Sequence, residues 1–265
     1  MIRLFSMAWR DLGRNRRRSF FSALALAVGM ALLLLMAATV TGEMRDALNA
    51  SIRLQTGHIE VRAADYNPEK TSLKWEDLLD TPAGMASQIA ALPQVEAATP
   101  RLYAAGILTF GDVTRGVRIV GVDVSSTANA PYTAGLVEGT FPAADDREGV
   151  VIGKELANKI EARAGDRVNL MINTSSGEVD EQAFIVRGIY NTGMPGYDEA
   201  TIIMPLAKAQ AITGAGDRAS SIFVLLRERD QADAVAAALS ANDVTIVTWA
   251  KANELVASFD QFAGA

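Results

Sequence analysis

Few side chains in this sequence can do chemistry, and none of them stands in a catalytic pattern. Among 265 residues there is one His and no Cys. This excludes a disulfide framework, a thiolate metal cluster, a cysteine nucleophile and any two-histidine site. Two carboxylate groupings stand out: Asp145, Asp146 and Glu148, and Glu178, Asp180 and Glu181. Either could hold a calcium ion, but the ligand spacing matches no EF-hand loop, and acidic solvated loops are the plainer reading. Ser175 and Ser176 lie in a polar stretch with no His within reach by sequence, so a serine nucleophile has no base. His58 falls on the polar side of an alternating segment, where a solvated imidazole is expected. G-x-S-x-G, H-E-x-x-H, the Walker A loop and the dinucleotide fingerprint are all missing. GAGDR (214–218) has no third glycine and no strand before it, and reads as a turn. We therefore expect no catalytic, cofactor-binding or metal-ligating residue in this stretch of chain, and no cofactor.

What the residues do specify is a charge asymmetry. Residues 1–41 carry six arginines against one acid, Asp11, whereas residues 42–265 hold 19 basic and 30 acidic side chains. An acidic body lacks the basic surface that phosphate contacts need, so nucleic acid is not an expected partner. The basic head adjoins 23 uncharged residues, Ser19 to Thr41, containing FFSALALAVGMALLLLMAATV. At about 1.5 Å per residue, a helix of that length crosses a hydrocarbon core of about 30 Å. Arg14, Arg16, Arg17 and Arg18 precede it, and no positive excess follows, because Glu43, Arg45 and Asp46 come next. The positive-inside rule predicts a cytoplasmic N-terminus and an extracytoplasmic 42–265, with the span in the cell inner membrane. RRRSFF (16–21) also resembles a twin-arginine export signal. Against that reading, the apolar run is longer than such a signal's, and no clear A-x-A site follows before Asn49. A buried core helix would not be flanked by an arginine cluster.

Ile2, Phe5, Trp9 and Leu12 recur at helical spacing ahead of the span, with Arg3, Arg10 and Arg14 largely off that stripe. The pattern predicts an interfacial helix over 1–18, its alternative being a solvated basic tail. Phe5, Trp9, Arg14, Arg16, Arg17 and Arg18 are the candidate contacts to membrane lipid. Beyond the span, no Pro or Gly interrupts 43–56, so the helix is expected to continue as a stalk until Gly57.

The rest alternates irregularly between strands and helices. HIEVRA (58–63) has a period of two, and Pro82 opens a helix. VEAATPRLYAAGILTF and VTRGVRIVGVD flank the turn Gly111–Asp112 as an antiparallel pair. A loop is expected over 125–142. After it come strand 150–152, helix 154–161, strand 167–172, a hairpin loop NTSSGEVDEQ (173–182) and strand 183–190. TIIMP leads into a helix at Pro205, SSIFVLLRE is a strand, RDQADAVAAALSAN a helix and VTIVTW a strand. Lys251 to Phe262 reads as a second stalk. Mixed hairpins and strand–helix–strand units predict an α+β fold rather than a doubly wound sheet.

Several segments in order then resemble a known family. They are MIRLFSMAWRDLGRNRRR, GHIEVRAADYNP, the P-x-V-E-x-A-x-P-R run from Pro93 to Arg101, RIVGVD (118–123) and EGTFP (138–142). GVVIGKELANKIEARAGDRVNLM (149–171) and VRGIYNTGMPGYDEATIIMPLAKAQ (186–210) follow, and these are the most specific. The chain resembles permeases of the MacB, LolC/LolE and FtsX superfamily of ABC transporters. The resemblance implies four spans, those after the first lying beyond Ala265, with a periplasmic core domain between the first two. In that picture 42–265 is a MacB-like core. Its porter-like parts would lie at about 42–95 and 148–250, an inserted β-rich part at about 96–147 and a second stalk at 251–265.

The partners so implied are a cytoplasmic ABC ATPase subunit, a second permease subunit and membrane lipid, with a lipoprotein or periplasmic partner outside. The chain itself would not be an enzyme, since ATP hydrolysis would sit on the separate subunit. ATP hydrolysis would be transmitted through the stalk to the periplasmic domain, for lipoprotein release or efflux. The short, proline-free NTSSGEVDEQ hairpin departs from the long proline-containing hook of the lipoprotein-releasing member. Docking of a periplasmic chaperone in that manner is therefore not expected. The rival readings are a single-span adaptor, an FtsX-like regulator, and a secreted enzyme released after twin-arginine export.

Overall fold

The computed structural model describes residues 16–68, 70, 73–239 and 244–252. Phe5, Trp9 and Arg14, the rest of the expected interfacial segment before Arg16, and most of the expected second stalk lie outside the described residues. The chain falls into two compact units that part after Leu48.

The first unit is helical. Helix α1 spans Arg16–Ser51. Its arginines 16, 17 and 18 are exposed at the start. Its apolar side chains have little protein around them: Leu26, Leu33 and Leu35 are 75%, 70% and 65% exposed. Such a surface is unfavourable in water and neutral in hydrocarbon. The two threonine hydroxyls of the segment are satisfied within the helix, Thr39 Oγ1 donating to Leu35 O at 3.0 Å and Thr41 Oγ1 to Ala37 O at 2.9 Å. A lipid-facing hydroxyl needs this, because no water is available to it there. By length and composition α1 is a candidate membrane span.

The second unit is mixed helix and sheet. Among the described residues ten strands join in one sheet, in the order β10-β1-β9-β2-β3-β8-β5-β7-β4, with β6 pairing both β2 and β7. Strand β2 (Val95–Phe110) is 16 residues long and belongs to two layers. Its first half pairs with β9 (Ser221–Leu226), which pairs with β1 (Ile59–Ala63), which pairs with β10 (Val244–Thr248). This four-stranded wing is antiparallel throughout. Its second half pairs with β3 (Val113–Val122) on one side and β6 (Arg167–Asn173) on the other. From β3 the path runs through β8 (Thr201–Pro205), β5 (Gly149–Gly153) and β7 (Val179–Tyr190) back to β6. Six strands thus close into a ring, which removes their edges.

Alternation explains both layers. In the ring Leu102, Ala104, Leu108, Ile119, Val150, Ile152, Leu170, Phe184 and Ile202 form one buried cluster. In the wing Ile59, Val61, Ile222, Val224 and Leu226 face helices α2 (Pro82–Ala90) and α7 (Ala232–Leu239) through Ala86, Ile89, Ala232 and Val235. Each full burial of a Leu, Ile or Val stabilises by about 1.5–3 kcal/mol. The other helices are α3 (Ala130–Ala134), α4 (Lys154–Ile160), α5 (Pro195–Ala200), α6 (Leu206–Thr213) and α8 (Trp249–Ala252).

Several elements differ from their expected form. The loop at 125–142 contains a 3-10 turn (Thr127–Asn129), α3 and strand β4 (Leu136–Gly139). The hairpin loop expected over 173–182 shrinks to the turn between Asn173 and Val179, because β7 pairs Val179 with Asn173 and Asp180 with Ile172. Its polar side chains alternate on a ring whose outer face meets solvent, so polarity there did not mean loop. The stretch 96–147, expected as a β-rich insert, supplies β2 and β3 to the middle of the sheet, and the ring they join extends to Pro205.

Two glycines separate close packing from open space. A Cβ on Gly153 would meet the backbone oxygen of Asp198 at 2.0 Å, whereas one on Gly84, inside α2, meets nothing within 4 Å. Gly153→Ala is expected to destabilise the core by about 3 kcal/mol, read as a lower denaturation midpoint. Gly84→Ala is expected to leave stability unchanged or raise it by about 0.5–1 kcal/mol.

Candidate functional site

Helix α1 ends inside the second unit in an unusual way. Residues Ile52–Thr56 form a π-helical turn, and the amide of Gly57 donates to Ile52 O at 2.8 Å. Gly57 has φ +66°, which glycine adopts without strain, and a Cβ there would meet Val224 O at 2.8 Å. The expected stop at Gly57 is where the structure puts it. A helix end leaves its last carbonyls without partners, and here the core supplies them.

The donors come from Arg101 and a group of tyrosines. Arg101 is 0% exposed, on the face of β2 turned away from α2 and α7. Its Nη1 donates to Leu54 O at 2.7 Å. The guanidinium lies over the Phe223 ring, 3.5 Å from the centroid. Among the described residues no carboxylate forms an ion pair with it; the Tyr103 hydroxyl is a polar neighbour, and Nε and Nη2 have no acceptor in good hydrogen-bond geometry. Tyr132 OH, from α3, also donates to Leu54 O at 3.3 Å, and shares a 2.6 Å hydrogen bond with Tyr197 OH from α5. Tyr103 OH reaches Gln55 O at 3.5 Å. Burial pushes the Tyr103 and Tyr197 hydroxyls well above the ordinary tyrosine range, so they stay neutral donors. Tyr190 OH closes the group on Thr201 O at 2.9 Å.

This arrangement makes electrostatic sense. The C-terminal end of a long helix carries a partial negative charge, and a cation placed there is stabilised. A buried arginine without a carboxylate would be costly, but the carbonyl end of α1 and the negative face of Phe223 take the carboxylate's place. Beside it lies a cavity of about 140 Å³ lined by Leu54, Gln55, Glu60, Tyr103, Arg118 and Tyr197. Burial pushes the Glu60 carboxyl up, against the opposing pull of Arg62 and the Ser221 hydroxyl. Nothing in this group resembles a reaction centre; its chemistry is to hold backbone carbonyls.

His58 is not the solvated side chain expected. Its Nδ1 accepts from the Leu226 amide at 2.8 Å, its amide donates to Val224 O at 2.9 Å, and its carbonyl accepts from Trp249 N at 3.0 Å. The chain therefore enters β1 and leaves β10 side by side, with Ile59 opposite Thr248. Burial lowers the imidazole's pKa first, then Arg53 and Arg229, while Glu96 opposes them, and the Leu226 amide needs the Nδ1 lone pair free of a proton.

The other candidates disperse. Asp146 turns inward, accepting from the Glu148 and Gly149 amides and pairing with Arg187 at 2.8 Å, so it does not join Asp145 and Glu148 at an ion. Asp180 and Glu181 are neighbours on β7 and point to opposite faces. Among the described residues no cluster of three or more His, Asp or Glu could hold a metal. Ser175 Oγ donates to Gly214 O at 2.8 Å, and Ser176 pairs with Thr174. Two larger clefts, about 640 Å³ beside Glu138, Lys154 and Arg163 and about 420 Å³ among the alanines of α2, bring no reactive groups together. Arg101 was legible only as a motif letter. The available signal was a lone cation in an otherwise apolar strand, TPRLYAAGIL.

Residues 19–242 match the family described as the MacB-like periplasmic core domain. The chain is 23% identical over 197 residues to the lipoprotein-releasing system transmembrane protein LolE of Haemophilus influenzae. That match covers 72% of this chain and 45% of the relative, so the chain spans about half of the relative's length. The periplasmic region of MacB from Actinobacillus actinomycetemcomitans superposes with a TM-score of 0.52 at 15% identity, over 79% of this chain and 97% of that one. The extracellular domain of the noncanonic ABC-type transporter YknZ from Gram-positive bacteria gives 0.49 at 12% identity, over 72% and 99%.

His58 yields a pH prediction. Its folded-state pKa lies below the unfolded value, so the folded state binds fewer protons and stability falls as pH drops through about 6.5. Asn in its place keeps an acceptor near Nδ1 but does not titrate. Thermal denaturation between about pH 8 and 5 should show the wild type losing more stability than His58→Asn.

Proposed function

Because the chain belongs to the MacB-like periplasmic core domain family, we propose that it is the N-terminal part of an ABC-transporter permease. Residues 1–18 would lie along the cytoplasmic leaflet, 19–41 would cross the inner membrane, and 42–265 would stand in the periplasm. A separate ATPase subunit and a second permease copy or homologue would complete the transporter. The work of ATP hydrolysis would reach the outer domain through α1, whose last turn is seated in the core.

One observation carries this reading: a long apolar helix ends not in a loop but in a turn whose carbonyls are gripped by buried side chains. A flexible tether for an adaptor would need no such seat. The hydrogen bond from the Trp249 amide to the His58 carbonyl supports a second helix returning toward the same membrane. The relative's name supports lipoprotein release over efflux as the use, with a lipidated cargo.

These 265 residues hold no cysteine, so topology is directly testable in a full protein cleared of any cysteine elsewhere. In intact spheroplasts of cells expressing the full protein, a membrane-impermeant maleimide should label Asp145→Cys and spare Arg17→Cys until the membrane is permeabilised. The reverse pattern would overturn the orientation. An affinity-tagged protein extracted in mild detergent should retain an ABC ATPase, and its absence, with unaltered lipoprotein sorting on deletion, would favour the adaptor reading.

A further inference from the structure

We infer that Arg101 is a positioning residue: through the Leu54 carbonyl it holds the turn Ile52–Thr56, which continues α1, in π-helical register, against an α-helical register in which that carbonyl takes the His58 amide.

The two registers exclude one another at a single proton. In an α-helix the amide of residue 58 donates to the carbonyl of residue 54. Here the His58 amide donates instead to Val224 O at 2.9 Å, as the first bond of the wing, and Leu54 O is left for Arg101 and Tyr132. The extra residue of the π turn is what allows the chain to step from helix to sheet at Gly57. A π turn is intrinsically less favourable than an α turn, so it persists where outside partners hold it. Arg101 supplies the stronger hydrogen bond, 2.7 Å and charge-assisted, against 3.3 Å from the Tyr132 hydroxyl.

The guanidinium is also built to change acceptors. Its Nε and Nη2 have no acceptor in good hydrogen-bond geometry among the described residues, the Tyr103 hydroxyl being a polar neighbour, and it is steadied by an aromatic face rather than a carboxylate. A carboxylate would pin it in one bidentate geometry, whereas a ring face leaves the fork free to slide. If the helix end turned by one residue, spare N–H groups would be there to meet the next carbonyl, Gln55 O, which Tyr103 OH contacts only at 3.5 Å. The register of this turn would then be what the proposed coupling acts on, and to that extent the inference rests on the permease reading.

The register itself is testable without any partner. In the full-length protein in detergent micelles, hydrogen–deuterium exchange is followed in peptides covering 52–58 and in peptides covering β3 and β8, for the wild type, Arg101→Lys, Arg101→Met and Tyr132→Phe. Arg101→Lys keeps the charge but loses the planar fork. Exchange over 52–58 should quicken about tenfold in Arg101→Lys and more in Arg101→Met, with β3 and β8 unchanged. Tyr132→Phe should give a smaller increase confined to the same peptide. Unchanged exchange over 52–58 in Arg101→Lys, or equal quickening in β3 and β8, overturns the inference. Should Arg101→Met fail to fold, the lysine and phenylalanine variants decide the matter. Where an ATPase co-purifies, Arg101→Lys should keep basal hydrolysis and lose its stimulation by added lipoprotein. Retained stimulation alongside quickened 52–58 exchange would remove the coupling role and leave the register assignment standing.

Discussion

A guanidinium buried without a carboxylate survives only where something else carries the opposing charge, and in this protein that something is the end of a helix. Arg101, Leu54 O and the Phe223 ring form one electrostatic unit. Its parts come from the π turn that continues α1, from β2 and from β9, and Tyr132 and Tyr197 add α3 and α5. Removing the helix end would strand a buried cation, and removing the cation would strand buried carbonyls. Elements distant in sequence are therefore held to one geometry by one contact.

Strand β2 carries the cation of this unit. A strand of 16 residues is long for a globular domain; it spans both layers, and Arg101 sits at the point where wing gives way to ring. Its neighbours Ala97, Thr99 and Tyr103 share that face, while Ala98 packs on the opposite side with the helices of the wing. The wing thus has one apolar face sealed by α2 and α7 and one face of mixed chemistry sealed by the end of α1. Apolar packing fixes position by shape. Hydrogen bonds to carbonyls also fix register, and this suits a face that receives a helix end.

The apolar helix imposes the complementary demand. Along 16–48 its leucine surface is exposed, and its threonines satisfy their hydroxyls internally. In the second unit every carbonyl of the last turn must find a partner within the protein. Both solutions answer the same accounting of backbone and side-chain polar groups in surroundings without water.

Much was readable from residue order alone: the apolar helix and its stop at Gly57, the β2–β3 hairpin, the helices opened by Pro82 and Pro205, and the family. These signals are local, because hydropathy, proline and glycine act on the chain within a few residues. The ring was not readable, because closure depends on β6 meeting β2 across some sixty residues, and no local pattern encodes a partner. His58 and Arg101 looked like a solvated polar residue and a motif letter. What each became was decided by which carbonyls and amides the fold brought to it. Sequence by itself determined the long apolar helix and most of the strands and helices, since those follow from periodicity and transfer free energy. Only the tertiary structure decided that a buried arginine would serve as counter-charge to a helix end, because electrostatic partners are set by distance in space and not along the chain.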